Sequence, residues 1–218
     1  MNRRALVLGI AAAFGAVFSG GAVLYSNAVR EAAEKLAAER AEAMVRSHSP
    51  IVGPADAPVT IVEFLDPSCE ACRAFYPLVK QIMDIYPDEV RLVIRYAAFH
   101  EGSEEAVRIL EASRLQGKHD QVLEALFRDQ PTWAKHDGPD MEKAWLAAGS
   151  TGVDLTQARA DAQKPEIAEI LRQDAADVEV LEVRGTPTFF VNARPLLETD
   201  PNVLYGLVTE EVMKARGN

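Results

Sequence analysis

Residues Val59 to Leu65 form a largely apolar, β-branched run that predicts a buried strand. Phe75, Tyr76, Val79, Ile82 and Met83 then recur with Cys72 at helical spacing, so a helix follows almost at once and stops at Tyr86-Pro87-Asp88. Val90 to Phe99 reads as a second core strand, and a strand, helix, strand order implies a parallel pair joined by a crossover. From Ser103 to about Glu182 the period becomes helical and stays so. Ala106, Ile109, Leu110 and Ser113 line one face until Gly117; Val122, Leu123, Leu126 and Phe127 line the next until Pro131. Asp140 restarts a short helix with Met141, Ala144, Trp145 and Ala148, Asp154 is placed to cap another, and Pro165 suits the first position of a third. Thr188 to Val191 and Leu196-Leu197 read as short strands around a turn at Asn192-Ala193, and Asp200-Pro201 opens the last helix.

The beginning of the chain has a different pattern. Arg3 and Arg4 precede a stretch from Ala5 to Tyr25 without a single charge, long enough at 1.5 Å per residue to span a bilayer. The basic flank stays in the cytoplasm and the remainder is exported. Residues 1–25 are therefore expected to be a signal-anchor or, given the small residues Ser19-Gly20-Gly21-Ala22, a cleaved signal peptide. Residues 26–49 form a charged helical linker in which Val29, Leu36 and Ala43 repeat every seven residues, a stalk or an oligomerisation helix. The proline-rich segment from Pro50 to Pro58 marks the boundary, leaving residues 50–218 as the globular domain. A chain of 218 residues with net charge −10 supplies one buried domain plus an appendage and excludes nucleic acid as a partner.

The chemistry concentrates where the first strand gives way to its helix, in Asp66-Pro67-Ser68-Cys69-Glu70-Ala71-Cys72. Two cysteines build no structural framework, and three residues apart they can close on each other. The first N–H groups of a helix lack internal partners and carry partial positive charge, which stabilises a thiolate at Cys69. Such cysteines have pKa values of roughly 3.5 to 7.5 instead of about 8.5. Cys72, one turn deeper, would be the shielded resolving thiol. The four histidines are scattered and no pair has metal-ligand spacing, so no metal site is assigned; soft thiolates nevertheless keep a copper-binding chaperone as the alternative reading. Trp133 and Trp145 are expected mainly in core packing, and the pairs Glu104-Glu105 and Glu210-Glu211 on solvated faces.

Strand, Cys-x-x-Cys at a helix start, long helical segment and then Gly185-Thr186-Pro187-Thr188-Phe189-Phe190-Val191 resembles the thioredoxin superfamily and, within it, the DsbA-like thiol:disulfide oxidoreductases, over roughly residues 50 to 216. The resemblance implies an α/β thioredoxin-like fold with a helical insertion at about 103–182. It implies a cis-proline loop in which Gly185, Thr186 and Pro187 receive the substrate backbone, and a buried acid, Glu63, near the resolving thiol. It also implies protein thiols or disulfides as substrates, a membrane redox partner, no cofactor beyond the Cys69–Cys72 disulfide, and a bacterial periplasmic or extracellular location. Glu70-Ala71 departs from the Pro-His of the strongly oxidising prototypes, so a less depressed Cys69 and a less oxidising disulfide are expected. Thr186 before the proline also resembles isomerase and reductase relatives, and the direction of catalysis stays open.

Overall fold

The computed structural model describes residues 25–217, and the expected anchor or signal segment lies outside them except for Tyr25. Among the described residues no helix is long and apolar enough to cross a membrane. The element order is α1 (25–44), β1 (Ile51–Val52), β2 (Val59–Leu65), α2 (Glu70–Ile85), β3 (Val90–Tyr96), α3 (Ser103–Arg114), α4 (His119–Trp133), α5 (Met141–Gly149), α6 (Leu155–Asp161), α7 (Pro165–Val180), β4 (Thr188–Val191), β5 (Arg194–Pro195) and α8 (Pro201–Ala215). The chain forms two units, residues up to 42 and residues from 43 on. In the first, the helix carries Arg30–Glu34 and Lys35–Glu39 ion pairs at 3.2 and 3.8 Å, while Val29 and Leu36 stay half exposed. Pairs of that spacing add only a few tenths of a kcal/mol each.

In the second unit the five strands lie in the order β1-β3-β2-β4-β5. β2 and β3 are parallel, with α2 as their crossover, whereas β4 runs antiparallel to β2. Alternation along the strands sorts their side chains. Val59, Ile61 and Leu65 join Leu92, Ile94, Phe189 and Val191 in the core shared with α2 and the inserted helices. Val62, Phe64, Val93 and Phe190 pack on the opposite face with Val178, Leu181 and Val183. Glu63 shares the parity of Ile61 and Leu65, so its carboxyl belongs to the α2 side of the sheet.

Residues 43–49 pack on this unit, although the sequence places them in the linker. Ala43 and Met44 join the second core, the Arg46 guanidinium binds Asp177 through two bonds of 2.9 and 2.7 Å, and His48 Nε2 lies 2.7 Å from Asp174. Both aspartates also hold Arg95, the fully buried charge of β3, at 2.7 and 2.6 Å, and the Arg95 side chain lies over the Phe64 ring. This cluster ties the 43–49 segment, β3 and α7 together.

Several boundaries differ from those read in the sequence. β3 stops at Tyr96 rather than Phe99, because the Phe99 and His100 N–H groups turn to the Asp66 carboxylate at 2.8 and 3.0 Å. α4 continues past Pro131 to Trp133, and its last turn is closed by Ala134 N–H on the Gln130 carbonyl and by the Trp133 indole N–H on Leu126, both at 2.8 Å. β5 is Arg194–Pro195, not Leu196-Leu197. The Asn192-Ala193 turn, with both φ values positive, is so tight that Val191 already pairs with Arg194, and Leu197 is left 89 % exposed. Trp133 and Trp145 are core residues. Glu211 is buried rather than solvated, bound to Arg194, Lys214 and Asn192, and Glu105 accepts the Trp145 indole N–H at 2.9 Å.

Arg95→Met keeps the buried volume but leaves Asp174 and Asp177 short of a buried counter-charge. It is expected to lower unfolding free energy by about 3–5 kcal/mol in urea titrations. A loss below about 1 kcal/mol would show that Arg46 and His48 alone satisfy the pair.

Candidate active site

Cys69 is the N-cap residue of α2, with its N–H on the Asp66 carbonyl at 3.0 Å and its own carbonyl accepting the Arg73 N–H at 3.2 Å. The loop of Asp66 to Ser68 therefore delivers Cys69 to the helix start in a fixed turn. The residue is only 7 % exposed, and its thiol points to the Thr186 carbonyl at 3.3 Å. Cys72 is fully buried one turn below, and the Asp66 N–H points at its sulfur at 3.4 Å. The two cysteines are not joined by a disulfide.

The two sulfurs have opposite electrostatics. A hydrogen bond from the Cys72 thiol lowers the Cys69 pKa to about 5, helped by the Thr186 side chain and the Cys72 and Ala71 N–H groups and opposed by burial. Burial pushes the Cys72 thiol far up, and its hydrogen bond to Cys69 and the Glu63 charge push the same way. Glu63 is buried and raised to about 8, first by desolvation and then by the Cys69 charge. At neutral pH the charge of this group of three rests on Cys69.

Opposite the sulfurs, the Thr186-Pro187 peptide bond is cis. Pro187 is buried, Thr186 half-buried and Gly185 exposed, with the Gly185 carbonyl taking the Thr188 hydroxyl at 2.8 Å. Phe75 of α2 and Phe189 of β4 pack ring to ring at 5.6 Å, fixing the proline loop against the helix that carries the cysteines. The residues singled out in the sequence, Glu63, Cys69, Cys72, Gly185, Thr186 and Pro187, thus meet around one short stretch of β2, α2 and β4.

Asp66 of the cysteine stretch itself, His100 and Gln130 also belong to this place, the last two without a motif in the sequence. The Asp66 carboxylate is fully buried and accepts the Ser68, Phe99 and His100 N–H groups, the Ser103 hydroxyl and the His100 imidazole Nδ1, the last at 2.7 Å. Burial works against a charged His100, yet the bond and charge of Asp66, followed by the Cys69 and Glu70 charges, raise its pKa overall. Gln130, from α4, reaches the backbone of the cysteine loop. An aspartate two residues before a serine in a turn is a local capping signal, but its partners beyond residue 97 leave no local trace. Glu70 is exposed and lies 3.8 Å from His136 on the surface. Among the described residues no group of three or more His, Cys, Asp or Glu is arranged to hold a metal ion.

A dithiol at a helix start, a buried acid on the strand beneath it and a cis-proline loop opposite, on a sheet with an inserted run of helices, define the DsbA-like class of thioredoxin folds. The chain belongs to the thioredoxin family, whose sequence profile matches residues 46–203. It is similar to a thioredoxin-like oxidoreductase from Silicibacter pomeroyi, at 28 % identity and a TM-score of 0.66 over 81 % of this chain and 98 % of that one. The catalytic domain of Proteus mirabilis ScsC shares the fold at 22 % identity, with a TM-score of 0.69 over 82 % of this chain and 98 % of that one. Among curated proteins it is similar to the Na(+)/H(+) antiporter NhaA of Herminiimonas arsenicoxydans, 30 % identical over 148 residues, which is 67 % of this chain and 22 % of the antiporter. The chain thus spans less than a quarter of the length of the curated relatives it matches, at 22 % and 23 %.

Glu63 and Cys69 couple pH to stability with opposite signs. Glu63 is raised from 4.5 to about 8, so in that window the folded state holds the proton more tightly and stability falls as pH rises. Cys69 is lowered from 9.0 to about 5, so there the unfolded chain holds the proton more tightly and the dithiol form gains stability as pH rises. Glu63→Gln removes only the first effect. Its stability relative to the parent is expected to climb with pH between 5 and 8, by up to about 1.4 kcal/mol per unit in denaturant titrations. An unchanged difference across that range would mean that Glu63 titrates as a solvated acid.

Proposed function

We propose that this protein is an exported thiol:disulfide oxidoreductase acting on protein substrates, with Cys69 as attacking thiol and Cys72 as resolving thiol. The observation that carries the reading is the asymmetry of the pair: a Cys69 thiol lowered to about 5, with the Thr186 carbonyl of a cis-proline loop 3.3 Å from its sulfur, beside a buried Cys72 thiol pushed up by that burial. A nucleophile needs the first property and a protected second thiol the other.

In the reducing direction the Cys69 thiolate attacks one sulfur of a substrate disulfide. A Cys69–substrate disulfide forms, the substrate S–S bond breaks and the other substrate sulfur leaves as thiolate. Cys72 then loses its proton and attacks the Cys69 sulfur; the Cys69–substrate bond breaks and the second substrate sulfur leaves as thiolate, so the dithiol is oxidised to a disulfide and the substrate gains two electrons. The oxidising direction is the same sequence reversed. Glu63 suits the proton transfer: once Cys69 is bonded to substrate its negative charge is gone, and with it one of the two causes that raise Glu63. The acid therefore ionises more readily at the step in which Cys72 needs a base. Gly185, Thr186 and Pro187 offer the backbone edge for the substrate, and the proline donates no N–H that would compete there.

The uncharged run from Ala5 to Tyr25 supports a location outside the cytoplasm, with the domain tethered by that segment or released from it. The half-exposed Val29 and Leu36 support self-association through residues 26–49. The antiport named for the curated relatives is not carried over, since the match spans under a quarter of their length.

Insulin reduction and refolding of a scrambled disulfide protein test the proposal. Activity is expected in the parent and none in Cys69→Ser, while Cys72→Ser is expected to accumulate mixed disulfide and turn over at least about a hundredfold more slowly. Equal activity in Cys69→Ser would end this reading. Equilibration with glutathione is expected to place the potential between about −270 and −120 mV, between thioredoxin and the strongest oxidant of this class. A potential at or above the oxidant's would contradict the effect assigned to Glu70.

A further inference from the structure

Gln130 belongs to the inserted helix α4, yet it spends its hydrogen bonds on the cysteine loop. Its side-chain Nε2 donates to the carbonyls of Pro67 at 2.8 Å and of Cys69 at 3.0 Å, and the residue is only 1 % exposed. The amide orientation follows from chemistry, because a flipped amide would set an oxygen lone pair against two carbonyl oxygens. Its Oε1 is buried without a protein partner, and so is the Ser68 hydroxyl lying between the two bound carbonyls in sequence.

That leftover is informative. A buried polar atom without a partner costs stability, and an apolar side chain of equal volume at position 130 would avoid the cost. Packing alone therefore does not account for a glutamine here. What the glutamine adds is a grip on the peptide that follows Cys69, whose carbonyl also accepts the first helical N–H, that of Arg73. The same turn sets the direction of the Ala71 and Cys72 N–H groups, which favour the Cys69 thiolate. On its other side the loop is held by Asp66, which binds the segment of Phe99 to Ser103. The loop is pinned from two directions, one of them the helical insertion.

We propose that Gln130 is a positioning residue for disulfide exchange, through which the helical insertion holds the Pro67–Cys69 backbone so that the start of α2 is aimed at the Cys69 sulfur. The proposal rests on the oxidoreductase reading for its purpose, but its physical content is separate: the insertion, and not the thioredoxin core alone, tunes the nucleophile.

The test uses the full chain in its dithiol form and the variants Gln130→Met and Gln130→Leu, which keep side-chain bulk and remove both donors. Thiolate absorbance titration reports Cys69 alone, since Cys72 stays protonated across the accessible range. The Cys69 pKa is expected to rise by about one unit, with thermal stability unchanged or increased. The exchange rate with a small disulfide at pH 5 should drop about twofold, the roughly fivefold loss of thiolate being partly offset by the higher nucleophilicity of a more basic sulfur. A folded variant whose pKa stays within about 0.2 unit of the parent overturns the proposal, whatever happens to its melting temperature. If one variant fails to fold, the other decides. A parent that shows no exchange at all sinks the oxidoreductase reading instead, and the pKa comparison still stands.

Discussion

The surroundings of the two cysteines accommodate one negative charge, and much of the structure follows from that constraint. Three acidic groups lie together, Cys69, Cys72 and Glu63, and burial opposes the charged form of each. Only Cys69 receives enough hydrogen bonds at the start of α2 to overcome it, from the Cys72 thiol, the Thr186 side chain and two backbone N–H groups. Because each of the other two feels the charge of its neighbours, moving the charge off Cys69 changes what Cys72 and Glu63 can do. Chemistry at one sulfur thereby alters proton affinity at the other without any movement of the fold.

Holding that arrangement takes more than the thioredoxin-like sheet. β2 supplies Glu63 from below by strand parity, and β4 brings the cis-proline loop across, braced by Phe75 against Phe189. Asp66 fastens the cysteine loop to the beginning of α3, and Gln130 fastens it to α4. The inserted helices thus stand in contact with the backbone that carries the thiols rather than merely covering the sheet. On the far face, the Arg95 cluster attaches residues 43–49 to β3 and α7, so the domain begins before the proline-rich segment.

Similarity to solved oxidoreductases and to a fraction of much longer antiporters places the same fold in quite different molecular settings. The Glu70-Ala71 pair leaves the thiolate stabilisation to Cys72, the Thr186 side chain and the backbone, and puts an exposed carboxylate beside the site.

The sequence by itself determined the elements and the cysteine pair, and its family resemblance pointed to the proline loop and the buried acid. The local signals are short ones: a largely apolar, β-branched run in Val59 to Leu65, helical spacing after Cys72, and Gly-Thr-Pro before an apolar strand. It misjudged the extent of β3, α4 and β5, where a side chain distant in the chain or a tight turn decides where pairing begins and ends. Only the tertiary structure decided that Asp66 ties the cysteine loop to Phe99 and Ser103, that Gln130 reaches the same loop, and that residues 43–49 belong to the domain. Those assignments rest on hydrogen bonds between residues 33 to 131 positions apart. A single aspartate, glutamine or arginine has no local period or spacing by which such a bond could be foreseen.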